Sequence, residues 1–206
     1  TRIPKNVNFQ EASGVAIGAI AIQGVRRADL KIGESCTVVG AGILGLITLQ
    51  ILNASGIRVC VTDIDDTRLN LAKKLGAELV INPNNEDAVE LVKNWSGGMG
   101  VDSVIFTAAT DSNDPLSDSF KMIRKKGALI LVGVSGMQIN REDIYQKEID
   151  FKISSSYGPG RYDNQYEEKG RDYPYAYVRW TEQRNMAEYL RLISVGSLKL
   201  DQIITN

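Results

Sequence analysis

From Cys36 to Tyr157 short apolar runs alternate with amphipathic stretches, and this alternation restricts the fold more than any other feature of the chain. CTVVG, RVCVTD, ELVIN, VDSVIF, ALILVGV and FKISSSY read as six strands. Their continuous apolar character is that of strands covered on both faces, as in a parallel sheet. Between them ILGLITLQILNAS, DTRLNLAKKLG, NEDAVELVKNWSG, PLSDSFKMIRKKG and NREDIYQKE read as helices. Gly56, Gly76, Gly97 and Gly127 stand where four of these stop. The pattern predicts an α/β fold: a doubly wound, mostly parallel six-stranded sheet with helices on both faces, the Rossmann architecture.

Two flanks lie outside that unit, so the chain divides into 1–35, 36–157 and 158–206. In the first, EASGVAIGAIAIQGVRRADL reads as one apolar helix packed on the sheet. In the last, GPGRYDNQYEEKGRDYPYAYVRW is a polar, aromatic loop. A helix over TEQRNMAEYLRLISVG follows, with Thr181 as N-cap and Gly196 as stop, and the chain then runs to QIITN through what reads as the beginning of another extended segment.

Composition removes whole classes of function. The chain has no histidine, so neither a Ser-His-Asp or Cys-His nucleophile nor a His-ligated metal can be built from it. Lys and Arg total 24 against 25 Asp and Glu, which gives no general attraction to nucleic acid or to an anionic membrane. The longest apolar run, GVAIGAIAIQGV, is too short to span a bilayer, and TRIPKNVNFQ lacks the apolar segment of a signal peptide. Cys36 and Cys60 each fall inside a strand-like run and form no CxxC pair. They read as small buried hydrophobes in a reducing, cytoplasmic compartment.

One turn carries chemistry. Gly40, Gly42 and Gly45 form G-x-G-x-x-G at the junction of the first strand and the first helix of the unit. In a dinucleotide site the first glycine permits the tight turn and the second lets the backbone approach a pyrophosphate. The third lets helix pack closely on strand. Unpaired N–H groups of Ile43 and Leu44 would then face the phosphates at a helix N-terminus. Asp63, followed by Ile64, closes the second strand 18 residues past Gly45, where a carboxylate can accept from both hydroxyls of an adenosine ribose. The same carboxylate would repel a 2′-phosphate, and Arg68 reads as too far along the next helix to offset it easily, so NAD is the expected cofactor over NADP. Two other readings remain: a turn that serves packing alone, and a methyltransferase site for S-adenosylmethionine. The latter needs no third glycine, and its usual extra antiparallel strand is not evident. SGGMG, at 96–100, follows a helix and precedes a strand, the wrong order for a phosphate loop, and reads as a turn.

Ligands of open α/β sheets sit outside the carboxyl ends of the strands. The small residues there, Thr107 and Ala108 after the fourth strand and Val132, Gly133 and Val134 after the fifth, suit backbone and methyl contacts to a nicotinamide ring. They suit ordinary loops equally.

With these residues in hand, the chain resembles the medium-chain dehydrogenase/reductase superfamily, the zinc-type alcohol dehydrogenase relatives. The stretches that carry the resemblance are EASGVAIGAIAIQGVRRADLKIGESCTVVGAGILGLI, VTDIDDTRLNLAKKLGAELVIN, GGMGVDSVIFTAAT and IRKKGALILVGVSG. SYGPGRYDNQYEEKGRDYPYAYVRWTEQRNM is similar to the dehydrogenase half of two-module oxidoreductases of surface-polysaccharide biosynthesis. The resemblance implies an NAD-dependent oxidoreductase that passes hydride between nicotinamide and an alcohol or carbonyl carbon, with a sugar or nucleotide-sugar among the candidate substrates. It also implies a separate catalytic domain bearing zinc ligands. No residue here matches that ligand set, so the chain reads as an excised cofactor-binding domain that binds NAD without turning over substrate. The alternative is a non-catalytic NAD-sensing module whose occupancy controls a partner surface.

All eight tyrosines fall between Tyr145 and Tyr189, interspersed near Tyr157–Tyr177 with Arg161, Arg171, Arg179 and Trp180. Such a loop can face a sugar or nucleotide, cover a neighbouring domain, or simply pin itself by aromatic packing. Pairing through a sheet edge at ALILVGV would give a homodimer.

Overall fold

The computed structural model describes residues 1–204. Two helices lead in. The first, α1 (Phe9–Ser13), opens on a capping box in which Asn8 and Glu11 each accept the other's backbone N–H. The second is α2 (Val15–Ala28). The single helix expected over this stretch is thus two, with Gly14 closing one and opening the other. A ring from the far end of the chain explains the small residues here. A Cβ at Gly14 would stand 2.7 Å from the Tyr189 hydroxyl, and one at Gly18 would stand 2.0 Å from its ring.

The alternation then runs β1 (Ser35–Val39), α3 (Ile43–Ala54), β2 (Arg58–Thr62), α4 (Asp66–Lys74), β3 (Leu79–Ile81), α5 (Ala88–Trp95) and β4 (Val101–Phe106). It continues through α6 (Asp114–Met122), β5 (Ile123–Leu131), α7 (Arg141–Tyr145) and β6 (Asp150–Ile153) to α8 (Asn164–Glu167) and α9 (Glu182–Ser194). Every strand pairing is parallel, in the order β3-β2-β1-β4-β5-β6. The chain winds outward from β1 to β3, then returns to lay β4 on the other side of β1. The winding therefore reverses between β1 and β4, where Val39 is paired with both Thr62 and Phe106.

Alternate strand side chains feed two cores. Cys36, Val38, Ala128 and Ile130 meet Leu46, Leu49 and Leu52 of α3 and Leu69 and Ala72 of α4. Val104, Phe106, Leu129 and Leu131 meet Val92 of α5 and Leu116 and Phe120 of α6. A third cluster lays α9 over α2 and α3, with Tyr189, Leu190 and Ile193 against Ile22, Ile47 and Ile51. Each fully buried side chain of this size contributes roughly 1.5–3 kcal/mol before the entropy of ordering is subtracted.

The structure corrects several local expectations. The run PLSDSFKMIRKKG is a helix only to Met122; Ile123 is already extended and begins β5. Lys147 stops the helix, its ammonium donating to the carbonyls of Phe120, Lys121 and Ile123. Ile123 pairs with Val101 but Ala128 pairs with Ser103, so the residues between bulge outward, with Lys126 left-handed at φ 59°. Gly127 is accordingly a strand residue, whereas Gly56, Gly76 and Gly97 do follow helices. ALILVGV is not at an edge, because β5 has β4 on one side and β6 on the other; the edge on that side is β6. Thr181 takes the N-cap position of α9, but its side chain makes no capping bond and accepts instead from the Tyr166 hydroxyl at 2.8 Å. Within the segment expected to be extended, Asp201–Ile203 forms a turn; residues 205 and 206 lie outside the described residues. Among the described residues no helix is long and apolar enough to cross a membrane.

Candidate cofactor-binding site

The glycine turn sits where the sheet winding reverses. Gly40 extends the ladder by donating to the Thr62 carbonyl at 2.8 Å, then turns the chain with φ 98°, a left-handed value that favours glycine. Gly42 is the N-cap of α3, and the first helical bond runs from Leu46 N–H to its carbonyl at 2.9 Å. No side chain caps this end, so the N–H groups of the first turn are left for a ligand. A Cβ at Gly45 would fall 1.8 Å from the Gly40 carbonyl oxygen, so only glycine lets helix and strand meet here. A Cβ at Gly42 would meet nothing within 4 Å. One glycine is therefore demanded by packing, while the other faces open space.

Asp63 is tied to this turn. Its side chain is 7% exposed; Oδ2 accepts from Ala41 N–H at 2.6 Å and Oδ1 from Asp65 N–H at 2.9 Å. An ionised carboxylate has about four acceptor sites, so about two remain for hydroxyl donors. Arg68 reaches further back than its sequence position suggests. One guanidinium nitrogen lies 4.0 Å from Asp63 Oδ2, and Nε lies 3.6 Å from Asp65 Oδ2. Two carboxylates thus share one guanidinium, and the local balance stays negative. Asp65 caps α4 by accepting from Thr67 N–H and Arg68 N–H, which hold its carboxyl below the usual range. Ile64, 67% exposed and next to the acid in the chain, and the half-exposed Ile43 at the start of α3 present apolar side chains to solvent.

The ends of β4 and β5 are fastened to the turn and to each other. Thr107 and Ala108 N–H both donate to the Val39 carbonyl, and the Thr107 hydroxyl bridges the Val39 and Gly40 carbonyls at 2.9 Å. Val132 and Gly133 N–H both donate to the Phe106 carbonyl, and Val134 N–H donates to Ala108 at 3.0 Å. A Cβ at Gly133 would lie 2.1 Å from the Ala108 carbonyl oxygen, so this glycine too is a packing requirement. Val134 is exposed. Val132 packs toward Gly24 of α2, and Leu44 packs into the cluster under α9, so the side chains of these two belong to the cores and only their backbone is offered at the site. The residue that sequence reasoning missed is Ala41, whose N–H orients the acid; a backbone donor leaves no signature in the side-chain pattern.

Residues 44–169 match the sequence profile of the zinc-binding dehydrogenases, more than half of the chain. The chain belongs to that family. It is 35% identical over 139 residues to an alcohol dehydrogenase of Geobacillus stearothermophilus, covering 67% of this chain and 40% of that protein. It is 31% identical over 134 residues to human sorbitol dehydrogenase, covering 65% of this chain and 38% of the enzyme. Its fold overlays the alcohol dehydrogenase from Thermus sp. ATN1 with a TM-score of 0.81 at 22% identity, covering all of this chain and 54% of that one. The chain thus spans about two-fifths of the length of the curated relatives it matches. These relatives are oxidoreductases, and the dehydrogenase-type Rossmann domain is the part of them that this chain shares. Among the described residues no three His, Cys, Asp or Glu side chains converge so as to hold a metal ion.

Proposed function

We propose that this chain holds NAD(H) for an alcohol or polyol dehydrogenase whose substrate is bound by a further domain. The observation that carries the reading is the pairing of an uncapped, open-faced Gly42 turn with an Asp63 carboxylate 2.6 Å from the same turn and with acceptor sites to spare. In this reading the first N–H groups of α3 hold the pyrophosphate and Asp63 accepts from the adenosine ribose. Ile43 and Ile64 flank the adenosine half. The fastened ends of β4 and β5, with Thr107, Ala108, Gly133 and Val134, form a rigid floor for the nicotinamide half. When bound, the nicotinamide supplies a hydride donor or acceptor at C4. The sharing of Arg68 between Asp63 and Asp65 supports NAD over NADP, because a 2′-phosphate would meet two carboxylates for one guanidinium. The polyol class is supported by sorbitol dehydrogenase among the relatives.

Calorimetric titration of the chain with NAD, NADP and S-adenosylmethionine tests this. Saturable NAD binding with much weaker NADP binding is expected. Binding of S-adenosylmethionine alone would overturn the oxidoreductase reading of the turn.

A further inference from the structure

The aromatic loop ends in a ladder of cations and rings. Arg26 Cζ lies 3.4 Å from the Trp180 ring centroid and Arg179 Cζ lies 3.8 Å from it. Two guanidiniums this close to one ring cannot share a face, so they sandwich the indole. The stack continues: Arg179 also covers Tyr175 at 4.7 Å, and Arg184 approaches the same tyrosine at 5.2 Å. Arg184 is neutralised by Asp172 and donates to the Val178 carbonyl. The other two cations have no carboxylate in contact. Arg26 spends its Nε on the Asn185 amide oxygen at 2.9 Å, and among the described residues no carboxylate lies within 4.0 Å of Arg26 or Arg179.

The two like charges are held close together, and Glu188 acts on Arg26 only from beyond contact distance. Burial lowers the Arg26 pKa to about 10; Glu188 opposes the shift, and the like charge of Arg179 adds to it. Each guanidinium lays one face on the ring, and apart from Arg26 Nε, which donates to Asn185, its N–H groups meet no carboxylate among the described residues. A planar fork of this kind matches the oxygens of a phosphoryl group, and an anion there would relieve the repulsion between the two arginines.

We propose that Arg26, Trp180 and Arg179 form a binding site for an organic phosphate, its phosphoryl oxygens on the guanidinium edges and its organic part on Tyr175. That ring is 57% exposed and continuous with the ladder. The site uses none of the residues assigned to the dinucleotide, so each can fail without the other.

Trp180 is its own reporter. In a Trp95→Phe background it is the one remaining indole, and the chain is titrated with phenyl phosphate, inorganic phosphate and, at matched ionic strength, sodium chloride. A saturable change in Trp180 emission is expected with both phosphates and not with chloride, at lower concentration for phenyl phosphate. Arg179→Gln should weaken the response roughly tenfold or more, as loss of a charge-assisted bond requires. Arg179→Lys should weaken it too, because an ammonium cannot fork. Tyr175→Ala should abolish the preference for the phenyl ester. Arg179 is solvent-exposed, so its variants are expected to fold, and a thermal melt checks this. A response that follows ionic strength alone, or a midpoint unchanged in folded Arg179→Gln, would overturn the proposal.

Discussion

The backbone N–H of Ala41 donates to Asp63 Oδ2 at 2.6 Å, so the glycine turn and the end of β2 are held together by the carboxylate proposed to recognise a ribose. Asp63→Ala should therefore weaken NAD binding by about tenfold or more, the worth of hydrogen bonds to a charged acceptor. It should also narrow the gap between NAD and NADP. Calorimetry with both cofactors checks this, and full NAD affinity in a folded variant would remove Asp63 from the site.

Gly42 and Gly45 should fail differently. A Cβ at Gly42 meets nothing, so Gly42→Ala is expected to melt near wild type but to lose NAD binding by obstructing the phosphate. A Cβ at Gly45 would fall 1.8 Å from a backbone oxygen. Gly45→Ala should cost roughly 1–3 kcal/mol or more of stability before binding is considered. Denaturant melts beside titrations separate the two effects. Equal stability losses would refute the division of labour.

Tyr189 locks α9 to α2 through the gap that Gly14 and Gly18 leave. Tyr189→Ala should destabilise by roughly 3–5 kcal/mol, the range for deleting a buried ring. Tyr189→Phe should cost much less, since the hydroxyl makes only a 3.5 Å contact with the Glu11 carbonyl. Comparable losses in the two variants would mean that the hydroxyl, not the ring, does the holding.

Burial pushes the Asp102 carboxyl up, but donation from Ser35 N–H, the Ser35 hydroxyl and Arg124 Nε outweighs it and holds the group below the usual range. A depressed folded pKa gives stability that is present above the unfolded value, near 3.9, and is lost as pH falls through the folded one. The melting-temperature gap between wild type and Asp102→Asn should be widest near neutrality and shrink below about pH 4. A gap independent of pH would count against this account.

Burial raises both thiols, Cys60 to about 12, so neither ionises in the folded protein at ordinary pH. A thiol reagent at pH 8 should label neither cysteine until denaturant is added. Rapid native labelling would show that the sheet opens locally.

What could be read from the sequence was what is local. The turn at Gly40–Gly45 and the acid at Asp63 are short patterns whose chemistry depends on neighbours in the chain. The boundary between α6 and β5 was not legible, because Ile123 is drawn into the sheet by Val101 and the helix is ended by Lys147, 24 residues further on. The position of ALILVGV within the sheet was hidden for a related reason: strand order follows from which faces the helices cover, not from any single strand. Arg68 appeared too distant on helical spacing, yet its long side chain folds back over the start of α4. The sandwich of Trp180 between Arg26 and Arg179 joins segments more than 150 residues apart, and no periodicity announces it.

The placement of β4 beside β1 has a consequence for the life of the nascent chain. Thr107, whose hydroxyl bridges Val39 and Gly40, follows Val39 by 68 residues. While the ribosome has delivered only the first half of the unit, the glycine turn has its sequence but not its floor. Loop closure over that separation must come before any ligand can be gripped from both sides. Under the proposed function, cofactor capture during synthesis would accordingly lag behind the emergence of the motif, and the first tight binding event would mark the moment at which the second half of the sheet docks on the first.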